Sequence, residues 1–199
     1  MKIIVIGAGG TIGSVVAEQL AARHEVIRVG KTSGQYQADI ADIGSVQKLF
    51  DKAGKADAVV VAAGDVHFGL LSEMTPEQFQ VGLQHKVMGQ VNVALVAQKY
   101  LNDGGSITLT TGIVNHEPIR YGANASTANA AIEGFVRAAA IELPRGLRIN
   151  AVSPTILTES LDSYGPYFYG FETVPASRVA QAYVKSVEGL HTGRLYTVW

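Results

Sequence analysis

The sequence predicts an α/β fold, a doubly wound parallel sheet of about seven strands with helices on both faces. Three observations predict it. Short apolar runs rich in β-branched residues alternate with segments of helical spacing along the whole chain. The first apolar run ends in a glycine cluster, Gly7-Ala8-Gly9-Gly10, which opens the next helical segment. No internal repeat, linker or second core interrupts the alternation, so 1–199 reads as one domain.

The elements follow in order. Lys2 to Ile6 reads as a buried parallel strand. Ile12 to Ala22 is a helix with Val15, Val16, Leu20 and Ala21 inward, and Glu25 to Val29 is the next strand. Gly44 to Ala53 is a helix with Val46, Leu49 and Phe50 inward, followed by a strand over Ala58 to Ala62 that Gly64 ends. Thr75-Pro76 opens a helical stretch that runs, with a break, to Tyr100, because Thr caps well and Pro is tolerated in the first turn. Ser106 to Thr110 is a strand, Ala125 to Leu143 a long helix stopped by Pro144, and Arg148 to Val152 a strand. Ser160 to Phe171, rich in Tyr, Gly and Phe, lies in a small lid or substrate loop over 159–175. Ser177 to Val187 is the last helix and Arg194 to Val198 the last strand.

Composition narrows the class. The chain is 47% hydrophobic and 17% charged, with a formal net charge of -1, which leaves no basic footprint for nucleic acid. No apolar run is long enough to span a bilayer, and the chain starts directly on a strand, so the expectation is no membrane, no leader and a cytoplasmic place. The absence of cysteine excludes disulfides, thiolate nucleophiles and Cys-ligated zinc, and no metal site is expected.

The segment Gly7-Ala8-Gly9-Gly10-Thr11-Ile12-Gly13 carries the first functional argument. Glycine lets the backbone turn sharply and approach a pyrophosphate, and the following helix N-terminus supplies N–H donors and a partial positive charge. After the first strand of an alternating chain, this pattern marks a Rossmann dinucleotide site. The end of the second strand then bears on the choice of dinucleotide. Val29-Gly30-Lys31-Thr32-Ser33 offers no carboxylate for a ribose 2′-OH, while Lys31, Thr32 and Ser33 suit a 2′-phosphate. NADP(H) is therefore expected over NAD(H), with Arg28 assisting if it faces that side.

Several further segments resemble the short-chain dehydrogenase/reductase family, in the family's order. Gly7, Gly10 and Gly13 match its TGxxGxxG form, with Ile6 in place of the leading Thr. Asp39-Ile40 with Asp42 resembles the segment that lies against the adenine, and Ala62-Ala63-Gly64 the segment beside the adenosine ribose. Gly104-Gly105-Ser106-Ile107 resembles the entry to the central strand, and Arg148-Ile149-Asn150-Ala151-Val152-Ser153-Pro154 the family's R-V-N-x-V-x-P-G. Pro154, Ile156 and Thr158 fall where the family meets the nicotinamide carboxamide.

The resemblance implies a Tyr proton donor, a Lys that lowers its pKa, a Ser at the carbonyl oxygen and a relay Asn. None stands at its place. Ala130-Ala131-Ile132-Glu133-Gly134 matches the pattern after Tyr-x-x-x-Lys, which puts Asn129 at the lysine and Ala125 at the tyrosine. The serine position falls on Gly112, or on Thr111 with a shift of one, and Lys86-Val87-Met88-Gly89 puts Lys86 at the asparagine. Asn129 retains the ability to hold ribose hydroxyls but carries no charge.

Other residues are candidates for the missing chemistry. Tyr121 sits one turn before Ala125 if the helix begins early. Lys86, with its pKa lowered by burial, is a second candidate, and Thr110 or Thr111 is a hydroxyl for a substrate oxygen. His116 lies in the loop between strand and helix, and Tyr164, Tyr167, Phe168, Tyr169 and Phe171 form a candidate aromatic lid. Three functions stay open: an NADP-dependent oxidoreductase of a small carbonyl or alcohol with a non-standard proton donor, a non-catalytic dinucleotide sensor or assembly subunit, and a fold repurposed for non-redox chemistry. Family members pair through the helices that correspond to Lys86–Tyr100 and Ala125–Leu143, where Ala94, Ala97, Ala138 and Ala140 are small, so a homodimer or homotetramer is expected.

Overall fold

The computed structural model describes residues 1–199. Strand β1 (Lys2–Ile6) is buried along Ile3, Ile4, Val5 and Ile6, as a parallel strand covered on both faces must be. Alternation divides it: Ile3 and Val5 enter one core, Ile4 and Ile6 the other. It pairs with β2 (Glu25–Gly30) on one side and β4 (Ala56–Val61) on the other. Beyond β2 lies β3 (Tyr36–Gln37); beyond β4 lie β5 (Leu101–Thr110), β6 (Arg148–Pro154) and β7 (Leu195–Val198). The order is β3-β2-β1-β4-β5-β6-β7, and every pair is parallel. The chain turns from building one half of the sheet to the other between β1 and β4. A crevice for a ligand opens at that switch point, outside the C-terminal ends of the strands.

Helices cover both faces. On one face α1 (Thr11–Ala21) packs against α7 (Ala176–Glu188), burying Val16, Ala17, Leu20, Val179, Ala180 and Tyr183 over Ile3 and Val5. On the other, α2 (Ile43–Ala53), α4 (Gly89–Ala97) and α5 (Ala123–Glu142) bury Phe50, Val93, Ile132 and Val136 over Ile4 and Ile6. No helix is long and apolar enough to cross a membrane.

Seven strands and helices on both faces agree with the expected fold class. The differences lie in local detail. The two-residue β3 carries no apolar run and leaves no periodic signal. β5 starts at Leu101, five residues before Ser106, because an irregularity in its pairing near Ala56 and Ala58 lets the polar Asn102 to Gly104 join it. The stretch from Thr75 to Tyr100 breaks into α3 (Pro76–Val81), a π-helical segment over Gly82–Met88, and α4. Thr75 starts α3 as the sequence predicts: its hydroxyl accepts from the Gln78 N–H at 3.3 Å, and the Gln78 side chain returns a bond at 2.9 Å. The 160–171 segment contains the short helix α6 (Leu161–Tyr164) and single tight turns on either side.

Candidate active site

The glycine turn is built by close approach. The N–H groups of Gly7 and Ala8 both donate to the Val29 carbonyl, at 2.8 and 3.1 Å, and the Gly10 N–H donates to the Gly7 carbonyl at 3.0 Å. Gly7 has φ +86°, and a Cβ there would collide with the Ala62 carbonyl. A Cβ on Gly13 would collide with the Gly7 carbonyl, so this glycine lets α1 lie against the turn. Gly10 ends the turn in extended backbone, and no side chain caps the N–H groups of α1. Those donors are left uncapped just past the end of β1, next to Gly9 and Gly10, which border a cleft; this is the arrangement a pyrophosphate needs.

Beside this turn lies a cleft of about 460 Å³, bordered by Gly7, Gly9, Gly10, Lys31, Ser33, Asp39, Ile40 and Ala62 to Gly64. Lys31 Nζ pairs with Asp39 Oδ2 at 2.8 Å. The bond to Asp39 raises the Lys31 pKa, and the bond to Lys31 in turn lowers that of Asp39. Ile40 is held by the Asn92 side chain, which donates to its carbonyl at 3.0 Å. Asp65 and His85 also border this cleft. Sequence reasoning missed both; Asp65 had a usable signal, since it follows Gly64 in the loop after a strand end, in a fold that binds ligands at strand ends.

Ala62, Ala63 and Gly64 also border a second cleft of about 300 Å³, so the two clefts adjoin along this segment. Lys86, Gly112, Ala125 and Asn129, the four positions where counting finds substitutions, all line this second part. Pro154 and Ile156 close it at the end of β6, and Val66, Phe68, Ile113, Val114, Tyr164 and Phe168 supply apolar walls. Lys86 sits in the π-helical segment, half-buried, with its α-carbon pressed against the strand end: a Cβ on Gly64 would lie 2.9 Å from it. Burial pushes the Lys86 ammonium down to about 8, with a partial offset from the carboxylate of Asp65.

Asn129 is 3% exposed, and its Nδ2 donates to the Gly112 carbonyl at 3.3 Å. Its Oδ1 is buried and has no partner in the protein, an acceptor left for a ligand donor. Glu133, one turn further along α5, was read only as a pattern residue. It is a buried carboxylate that takes the Asn115 Nδ2 at 3.0 Å, His116 Nε2 at 3.0 Å and the Thr111 hydroxyl at 3.3 Å. It thereby ties the 111–116 loop, one wall of the cleft, to α5.

Some expected site residues are placed elsewhere. Helix α5 begins at Ala123, and Tyr121 precedes it in left-handed backbone with φ 68°. The early helix start is corrected: Tyr121 packs edge-on against Tyr167 at 6.0 Å and borders neither cleft. The Thr111 hydroxyl is shared between the Asn129 carbonyl at 3.2 Å and Glu133, and the Thr110 hydroxyl joins the Val61 carbonyl and the Tyr183 hydroxyl, both at 2.6 Å. Both threonines nevertheless line the second cleft, with these hydroxyls engaged in bonds within the protein. Thr11, Thr32 and Thr158 lie outside the groove; Thr158 bonds Thr173 at 3.1 Å, and Thr32 gives its carbonyl to Gln37 at 3.0 Å. Arg28 also lies outside it, while Ile12 borders the second cleft. His116 is held by Glu133 and lies tilted against Trp199, with ring centres 5.3 Å apart, away from both clefts. Of the lid aromatics, Tyr164 and Phe168 line the cleft, Tyr167 stacks on Phe68 at 5.3 Å, Phe171 packs on Phe168, and Tyr169 is exposed.

Residues 8–186 match the family model described as enoyl-(acyl carrier protein) reductase. The chain belongs to the short-chain dehydrogenase/reductase family. Among its relatives is a short-chain dehydrogenase/reductase of Pestalotiopsis microspora, 30% identical over 76% of this chain and 66% of the relative. A versicolorin reductase of Emericella nidulans is 32% identical over 76% of this chain and 67% of its own length. The chain thus spans about two thirds of the length of these curated family members. Among solved structures, the protein lin1944 from Listeria innocua is 49% identical, with a TM-score of 0.98 over 100% of both chains. A small-chain dehydrogenase in complex with NADPH is 27% identical, with a TM-score of 0.89 over 100% of this chain and 96% of the other.

Proposed function

We propose that this family member is an NADP(H)-dependent oxidoreductase acting on a small carbonyl or alcohol, with Lys86 as the proton donor. The observation that carries it is the pair of adjoining clefts, one at the glycine turn and one holding Lys86 and Asn129, which share Ala62 to Gly64 as a border. The residues present fit a nicotinamide dinucleotide. Uncapped N–H groups of α1 suit the pyrophosphate, Lys31 and Ser33 suit a 2′-phosphate, and the unpartnered Asn129 Oδ1 suits a ribose hydroxyl. The NADPH complex of the 27% identical neighbour and the reductase names of the relatives support the same reading.

When bound, the dinucleotide supplies or accepts a hydride. The chain's own part is to place a carbonyl oxygen against Lys86, whose ammonium donates the proton as negative charge develops on that oxygen. The apolar walls Val66, Phe68, Val114 and Phe168 exclude water from that step. The 159–175 segment serves as the lid through Tyr164 and Phe168. Exposed Leu95 on α4 and Ile141 on α5, 44% and 87% accessible, fit a homodimer or homotetramer built on those helices.

Fluorescence titration with NADPH and NADH, followed by NADPH oxidation against a panel of carbonyl compounds, tests the reading. Tighter binding of NADPH is expected, with turnover that Lys86→Met lowers by about 100-fold. Tight NADPH binding with no turnover on any carbonyl would make the chain a dinucleotide sensor instead.

A further inference from the structure

Lys86 differs from every other lysine of the chain. Lys31, Lys48, Lys52, Lys55, Lys99 and Lys185 are exposed, and the Lys2 ammonium donates to the Ala53 carbonyl at 2.6 Å. Lys31 borders the other cleft but is paired to Asp39, whereas Lys86 lines its cleft with no hydrogen bond or ion pair to hold its nitrogen; the charge that acts on it is that of Asp65. Ala125 and Gly112, neither with a long side chain, line the same cleft, and its other walls include aromatic and aliphatic side chains. An amine without a partner, in an apolar cleft sized for a small molecule, is the setting in which lysine acts as a nucleophile toward carbonyls.

We propose that Lys86 also forms an imine with aldehydes and unhindered ketones that carry a flat apolar body, an activity separate from hydride transfer. The nitrogen lone pair attacks the carbonyl carbon, the new C–N bond forms, and one amine proton passes to the oxygen to give a carbinolamine. The C–O bond then breaks as the second amine proton joins the departing oxygen, which leaves as water. No oxidant or reductant is consumed. The ring-bearing body of the ligand lies among Phe68, Tyr164 and Phe168, while the condensing carbon sits at Lys86. Burial supports this by keeping a substantial share of the amine uncharged near pH 8, where exposed lysines are almost wholly protonated.

The inference does not rest on dinucleotide binding, and its test uses none. The whole protein is incubated with benzaldehyde and sodium cyanoborohydride, which reduces an imine to a stable secondary amine, and the labelled site is read by intact mass and peptide mapping. The expected result is that Lys86 is the one lysine labelled rapidly, its benzyl adduct forming at least about tenfold faster than on any exposed lysine, with the α-amino group of Met1 mapped separately. Its rate should rise as pH passes through about 8, ahead of the exposed lysines. The adduct should vanish in Lys86→Met and in Lys86→Arg, each checked for native circular dichroism. Labelling of Lys86 no faster than the exposed lysines, in the wild-type chain alone, overturns the proposal. A chain that binds no NADPH but labels at Lys86 keeps this inference and removes the oxidoreductase reading; the converse result does the reverse.

Discussion

At Lys86 the demands of folding and of chemistry oppose each other. Burial lowers its pKa from 10.5 to about 8, so between those values the folded chain binds fewer protons than the unfolded chain. Stability contributed at this site therefore rises with pH across that window, and the penalty is full below about 8. Lys86→Met should accordingly raise the melting temperature at pH 7, a gain that shrinks toward pH 10.5, as calorimetry at several pH values would show. Activity has the opposite slope. A donor must hold its proton, so carbonyl reduction should be steady below about 8 and fall above it. The second residue of interest is Lys31. Its ion pair with Asp39 fixes the ammonium at the rim of the adenine-side cleft. Lys31→Ala should weaken NADPH about tenfold and leave NADH nearly unchanged, measured by the same titration. The sequence reading found Lys31 as a free cation; the partner 8 residues on, Asp39, needed β3 to fold back beside β2.

Two elements set the shape of the groove. The first is the junction of β1 and α1, where Gly13 packs on the turn that Gly7 opens. Gly13→Ala should cost about 1–3 kcal/mol by forced overpacking and abolish dinucleotide binding, both readable from denaturant melts with and without NADPH. The second is the start of α5. Asn124 is fully buried there; its Oδ1 takes the His67 N–H at 2.9 Å, and its Nδ2 donates to the Phe79 carbonyl at 2.5 Å. One side chain thus joins α5 to α3 and to the 66–68 segment that walls the cleft. Asn124→Ala should destabilise by about 1–3 kcal/mol, since a buried donor and acceptor lose their partner. The glycine junction was legible because its constraint is local: a sharp turn after a strand needs residues without side chains. Asn124 was not legible, because both of its partners are far along the chain.

At the scale of the molecule, one sheet carries two helical layers and leaves two adjoining clefts at the C-terminal ends of its strands. The outer faces of α4 and α5 expose Leu95 and Ile141, which a water-facing helix does not require. Light scattering at micromolar concentration should report a dimer or tetramer, and Leu95→Glu with Ile141→Glu should return the monomer without altering the far-ultraviolet spectrum. Glu133 is the other long-range device, joining the loop after β5 to α5 through Asn115, His116 and Thr111. The position looked featureless in a run of helix formers, because nothing in the chain near it shows that its face turns inward against a polar loop.

The resemblance to the family located the four substituted positions; the sequence by itself determined the alternation of strand and helix, the buried character of β1 and β4, and the glycine turn. Each of those rests on residues close in sequence, where sterics and hydrophobic period act directly. Only the tertiary structure decided that Lys86, Gly112, Ala125 and Asn129 share one cleft, and that Asn129 keeps an unpartnered oxygen there. It also set Tyr121 outside the cleft through two residues of left-handed turn and helix cap, and it engaged the hydroxyls of Thr110 and Thr111, which line the cleft, in bonds within the protein. These outcomes depend on which side chains meet across the sheet, and such meetings are fixed by packing between distant segments that no local pattern records.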